Sequence, residues 1–93
     1  MAAFKGENNM NVIVFGSGEN LENQYARCLI YATTQGYNVK GTYNNMSNVV
    51  ERIVKSDIKL ALLDNTIKAE YNEFDLEILS GTFARYGVRV VII

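Results

Sequence analysis

The chain contains no histidine and no proline, and it has a single cysteine, Cys28. Without imidazole it lacks both the commonest metal ligand and the commonest acid–base group, so zinc sites and histidine-dependent triads are out of reach. A lone cysteine excludes an intrachain disulfide. Long apolar runs are also missing, and none approaches the roughly 18 residues of a membrane-spanning helix. Residues 1–9 (MAAFKGENN) lack the apolar centre of a secretory signal, so the expected location is the cytoplasm, with no membrane partner. Charge of either sign is balanced: nine Lys and Arg against ten Asp and Glu leave a net charge of −1. That balance lacks the basic footprint nucleic acid usually requires, and any DNA contact would draw most of its phosphate contacts from another protein.

What is present is a globular composition. Of 93 residues, 48% are hydrophobic and 20% charged, which suits one folded domain and leaves no length for a second module. Residues 1–10 read as a flexible N-terminal extension and residues 11–93 as the domain.

The stretch 11–24 organises the rest. Five residues, Asn11 to Phe15, mostly apolar and β-branched, meet Gly16-Ser17-Gly18 and then an amphipathic segment. This is the strand, tight loop and helix N-terminus at which α/β proteins place ligands. Leu21, Tyr25, Cys28, Leu29 and Ala32 recur at helical spacing, and Gly36 stands where a helix ends. Residues 37–43 alternate as a second strand, with Asn44-Asn45 at its exit. Ser47 or Asn48 is placed to cap a short helix whose buried side is Val49, Val50, Ile53 and Val54, closed by residues 55–57. Residues 58–63 form a third strand, apolar enough to be covered on both faces. Residues 70–86 carry Tyr71, Phe74, Ile78, Leu79 and Phe83 on one helical face, Gly87 stops that helix, and residues 88–93 are the last strand. Strands alternating with helices predict a three-layer α/β/α domain with a mainly parallel four-stranded sheet of flavodoxin-like topology. Ser17, Asp64, Asn65 and Thr66 should then meet at the carboxyl ends of strands one and three.

Each motif has a plain reading beside the functional one. Gly16-x-Gly18 before a helix can cradle an anion through backbone N–H groups, but it is also an ordinary tight turn. A third glycine is missing, and no acidic residue ends strand two to hold a ribose, so a dinucleotide site is unsupported. Nothing calls for a cofactor or a metal. Asp64 ends a strand as a phospho-acceptor does, without an acidic pair on strand one. Cys28 lies on an apolar stripe and reads as a small core hydrophobe. Tyr25, Tyr71, Phe74 and Phe83 read as core or interface aromatics, and Glu70, Glu73, Asp75 and Glu77 as a solvated helix face. Lys40, Lys55, Lys59 and Lys68 are scattered and form no basic stripe.

Several local strings resemble the amino-terminal catalytic domain of serine recombinases, the resolvase/invertase family. Leu21-Glu22-Asn23-Gln24, then Tyr31-Ala32 and Gly36-Tyr37, is similar to that family's Leu-x-x-Gln helix start, Tyr-Ala and Gly-Tyr. Residues 58–68 resemble the strand running into its Asp-Arg-Leu-Ser-Arg string, read here as Asp64-Asn65-Thr66-Ile67-Lys68. Residues 83–92 resemble the stretch where a helix ends at Gly-Val and opens strand four. The resemblance implies a resolvase-like domain in which a serine hydroxyl attacks a DNA phosphate amid arginines. Ser17 takes the nucleophile's place when the following loop is shorter than the family's; aligning Phe15-Gly16 to the strand end instead removes the serine. Gly16, Gly18, Gln24, Asp64, Asn65 and Lys68 are then its neighbours. Guanidinium groups are needed because charge accumulates on the phosphoryl oxygens. Here Phe15, Asn65 and Lys68 stand where the family has arginines, none lies between Asn44 and Asn48, and Arg27, Arg52, Arg85 and Arg89 fall outside the pattern.

The expected function is therefore a recombinase-like domain without strand exchange, a regulatory or partner-binding piece in DNA recombination or a mobile element. Its implied partners are DNA, a full-length recombinase or a second copy. One alternative is a residually active domain using Ser17; another is a small nucleotide- or anion-binding module at Gly16-Ser17-Gly18.

Overall fold

A computed structural model describes residues 10–55 and 57–93. The predicted N-terminal extension thus lies outside the described residues except for Met10, whose carbonyl accepts a hydrogen bond from the Asn38 N–H at 2.8 Å. The elements are β1 (Asn11–Phe15), α1 (Leu21–Gln35), β2 (Asn38–Tyr43), α2 (Met46–Ile53), β3 (Leu60–Leu63), a 3₁₀ turn (Asn65–Ala69), α3 (Glu73–Ala84) and β4 (Arg89–Ile92). The sheet order is β2-β1-β3-β4 and every pairing is parallel. This is a flavodoxin-like, doubly wound arrangement. The chain first winds from β1 out to β2, then crosses back to β3, so the winding reverses between β1 and β3.

Alternation along the two central strands divides the core. Ile13 and Phe15 of β1, with Ala61 and Leu63 of β3, face α2 and α3 through Val49, Ile53, Leu79 and Phe83. Val12, Val14, Leu60 and Leu62 face α1 through Cys28 and Ala32. All of these side chains are at most 5% exposed, which is why β1 and β3 read as near-continuous apolar runs. Phe15 and Phe83 meet edge to face, with ring centroids 6.3 Å apart. Burial of such a side chain contributes about 1.5–3 kcal/mol. Among the described residues no helix is long and apolar enough to cross a membrane.

Helix phases differ from the sequence reading in two places. Asn45, not Ser47 or Asn48, caps α2: its side chain accepts from Ser47 N–H at 2.8 Å and from Asn48 N–H at 3.3 Å. The helix therefore starts and ends earlier, and Val54, expected to be buried, is 51% exposed. Residues 70–72 lie outside α3, because Asn72 and Asp75 form a reciprocal capping box that starts the helix at Glu73. Leu76, Leu79 and Phe83 turn inward onto the sheet. Phe74 and Ile78, predicted on the same face as Leu79 and Phe83, turn out to solvent. The expected C-terminal stop of α1 is present: Gly36 has φ of 77° and its N–H reaches the last turn.

Candidate functional site

At the reversal between β1 and β3 the loop after β1 faces the 3₁₀ turn after β3 across a cleft of about 620 Å³. Ser17, Gln24, Arg27, Thr66 and Glu70 are among the residues that line it. The loop is shaped by two glycines with separate reasons. A Cβ on Gly16 would stand 2.9 Å from Gln24 Oε1 and 3.0 Å from Leu21 and Tyr25, so a side chain there would displace the α1 side chains that pack on the loop. Gly18 has φ of +78°, and a Cβ there would meet the Glu70 carboxylate at 2.7 Å. Both glycines are therefore explained by chain packing before any ligand is considered.

Gln24 fixes the loop. Its side chain is buried, and its Oε1 accepts from Ser17 N–H at 3.1 Å while its Nε2 donates to the carbonyls of Ser17 (2.8 Å) and Glu19 (2.9 Å). One amide side chain therefore satisfies three backbone groups of a loop that makes no regular structure. The backbone N–H of Ser17 is thus already engaged.

Asp64 ends β3 with its side chain 4% exposed. Both carboxylate oxygens receive the guanidinium of Arg27: Nε donates to Oδ1 at 2.7 Å and Nη2 to Oδ2 at 2.8 Å. Thr66 adds its hydroxyl (2.5 Å) and backbone N–H (3.1 Å) to Oδ2, which also caps the 3₁₀ turn. The Arg27 bonds first, then those from Thr66, hold the Asp64 carboxyl well below the usual carboxylate range against the opposing effect of burial. Asp64 is thus held as an anion at neutral pH, and both its oxygens accept hydrogen bonds from its own chain.

Ser17, Gln24 and Thr66 are brought to one cleft, with Asp64 behind Arg27 and Gly18 against Glu70. Asn65 and Lys68 lie exposed on the 3₁₀ turn and do not line the cleft. Arg27 is the residue that sequence reasoning missed. It falls outside the family's arginine pattern, yet it lines the same cleft as Ser17. Its sequence signal was its position one turn beyond Gln24, on the side of α1 that overlooks the carboxyl ends of the strands. Arg27 is the sole cation among the described lining residues, while Glu19 and Glu70 are anionic, so with Asp64 the local balance is negative. Among the described residues no group of three Cys, Asp or Glu side chains converges as a metal site.

Cys28, the next residue along α1, is fully buried against β1 and β3. Burial pushes its thiol up to about 12, so it is a neutral core group. No family model matches this chain, and no significant match to it is found among curated proteins or solved structures.

Proposed function

We propose that this chain is a non-catalytic, partner-binding domain of serine-recombinase-like build, acting as a regulatory piece in DNA recombination or a mobile element. The observation that carries the non-catalytic part is the two-pronged pairing of Arg27 with Asp64. Phosphoryl transfer to a serine needs fixed positive groups around the phosphoryl oxygens as charge builds on them. Here the one cation among the described lining residues is neutralised by a buried carboxylate, and Glu19 and Glu70 add negative charge around Ser17. A phosphodiester entering the cleft would meet repulsion where an active recombinase offers guanidinium groups. The same charges, with Ser17 N–H held by Gln24, weigh against the anion-binding reading. The recombination setting rests on the sequence resemblance and the doubly wound fold together.

Incubation of the chain with duplex DNA, followed by denaturing electrophoresis, is expected to give no covalent protein–DNA band. A band that disappears in Ser17→Ala overturns the non-catalytic reading. Nucleotide at millimolar concentration is expected to leave the melting temperature unchanged; a rise would favour the anion-binding module. Added to a full-length serine recombinase, the chain is expected to associate and change its strand-exchange rate. Absence of both effects removes the recombination setting.

A further inference from the structure

Helix α3 carries two apolar faces, and one of them has no partner among the described residues. Leu76, Leu79 and Phe83 pack inward. On the opposite side Phe74 is 68% and Ile78 55% exposed. Helical spacing continues that outer ridge through Gly81 to Arg85. Nothing lies within 4 Å of where a Gly81 Cβ would stand. A mid-helix glycine lowers helix stability, and no neighbour among the described residues needs the space. It does leave a smooth spot, one turn beyond Ile78, where another backbone can approach closely.

Charge is one-sided along the N-terminal part of the ridge, around Phe74 and Ile78, and the cation Arg85 stands only at its far end, just past the helix. Glu73 and Glu77 flank Phe74 and Ile78 on one side and Asp75 on the other, with Glu70 just before the helix; α3 itself contains no Lys or Arg. A shallow groove of about 400 Å³ runs along one flank between Ile78, Tyr71 and Met46. A second, of about 390 Å³, lies on the other flank between Leu76, Glu77 and Ser80.

We propose that this face docks an amphipathic helix of a partner protein whose apolar stripe is flanked by lysine or arginine. The apolar stripe would cover Phe74 and Ile78 and cross at Gly81, and the basic flanks would meet Glu73, Asp75 and Glu77. The carboxylates repel phosphate, which disfavours DNA or an anionic lipid surface here. A second copy fits less well: antiparallel self-pairing with Phe74 seated on Gly81 brings Glu77 close to its own counterpart at the twofold axis. This inference extends the partner-binding reading above by naming its surface.

The test uses the whole chain and a labelled synthetic helical peptide with a leucine stripe between lysine flanks, beside a version with glutamate in place of every lysine. Fluorescence anisotropy is expected to show the lysine peptide binding at least about tenfold more tightly than the glutamate peptide, and weakening with salt. Phe74→Ala with Ile78→Ala, and separately Gly81→Leu, should each lower its affinity by roughly tenfold or more. Glu73→Lys with Glu77→Lys should reverse the preference. These positions are exposed, and unchanged circular dichroism verifies folding. No binding of the lysine peptide, equal binding of the two peptides, or binding unaffected by the ridge variants overturns the proposal. Sedimentation that reveals a dimer abolished by Ile78→Asp overturns it in favour of self-association. Any of these outcomes leaves the non-catalytic reading intact, whereas a Ser17-dependent DNA adduct would end that reading and leave this face standing.

Discussion

Arg27 and Asp64, 37 residues apart in sequence, close the carboxyl edge of the sheet with two parallel hydrogen bonds of 2.7 and 2.8 Å. One partner is half exposed and the other is almost wholly buried. The pair joins α1 to the end of β3, so it links the two loops that form the cleft. It also removes the cleft's positive charge, and these two consequences cannot be separated by substitution at Arg27 alone.

The pairing predicts a pH dependence with a definite sign. Asp64 has a depressed pKa in the folded state, so its contribution is present above the unfolded value of about 4 and fades as pH falls below it. Arg27→Met should therefore be less stable than the parent at neutral pH, and the difference should shrink below about pH 4. Asp57, paired with Arg52, is also depressed and titrates in the same window. Both proteins retain that pair, so comparing their urea midpoints across pH isolates Asp64. A gap that stays constant into acid would show that Arg27 acts through packing instead.

Gln24 is predicted to matter through the chemistry of its amide. Gln24→Glu keeps the acceptor for Ser17 N–H but loses the donor to the carbonyls of Ser17 and Glu19. A buried carboxylate facing two carbonyl oxygens should cost about 1–3 kcal/mol, more than the loss of one ordinary hydrogen bond. Chemical denaturation gives the magnitude. Amide exchange at Ser17 should rise more in Gln24→Leu, which removes the acceptor, than in Gln24→Glu.

Cys28 should resist thiol reagents in the native protein at pH 8 and react at a rate set by transient opening. Its complete burial and raised pKa both keep the thiolate population low. Labelling with a chromogenic disulfide in water and in urea checks this. Native-state labelling as fast as that of the unfolded chain would mean that α1 does not stay packed on β1 and β3.

Two glycines should respond to alanine with opposite signs. Gly16→Ala places a methyl within 3.0 Å of Leu21 and Tyr25 and should destabilise by about 1–3 kcal/mol. Gly81→Ala meets nothing and should stabilise by about 0.5–1 kcal/mol through helix propensity alone. Thermal melts of the two variants decide it.

The alternation of strands and helices, the parallel sheet, the Gly36 stop and the inward position of Cys28 were all determined by the sequence itself. Each follows from a local period or a single residue's conformational preference, so a few neighbouring positions suffice to express it. Positions 74 and 78 lie on the opposite side of an α-helix from 79 and 83, so packing of Leu79 and Phe83 on the sheet turned Phe74 and Ile78 outward. The apolar count drew the helix start three residues too early, because the reciprocal capping of Asn72 and Asp75 fixes it at Glu73. The site depended on tertiary structure far more. Arg27 reaches Asp64, Gln24 folds back on the Ser17 loop, and Glu70 closes on Gly18 only because β3 lies beside β1 and α1 crosses their ends. Those contacts span tens of residues and follow from strand order and packing depth, which no local spacing encodes.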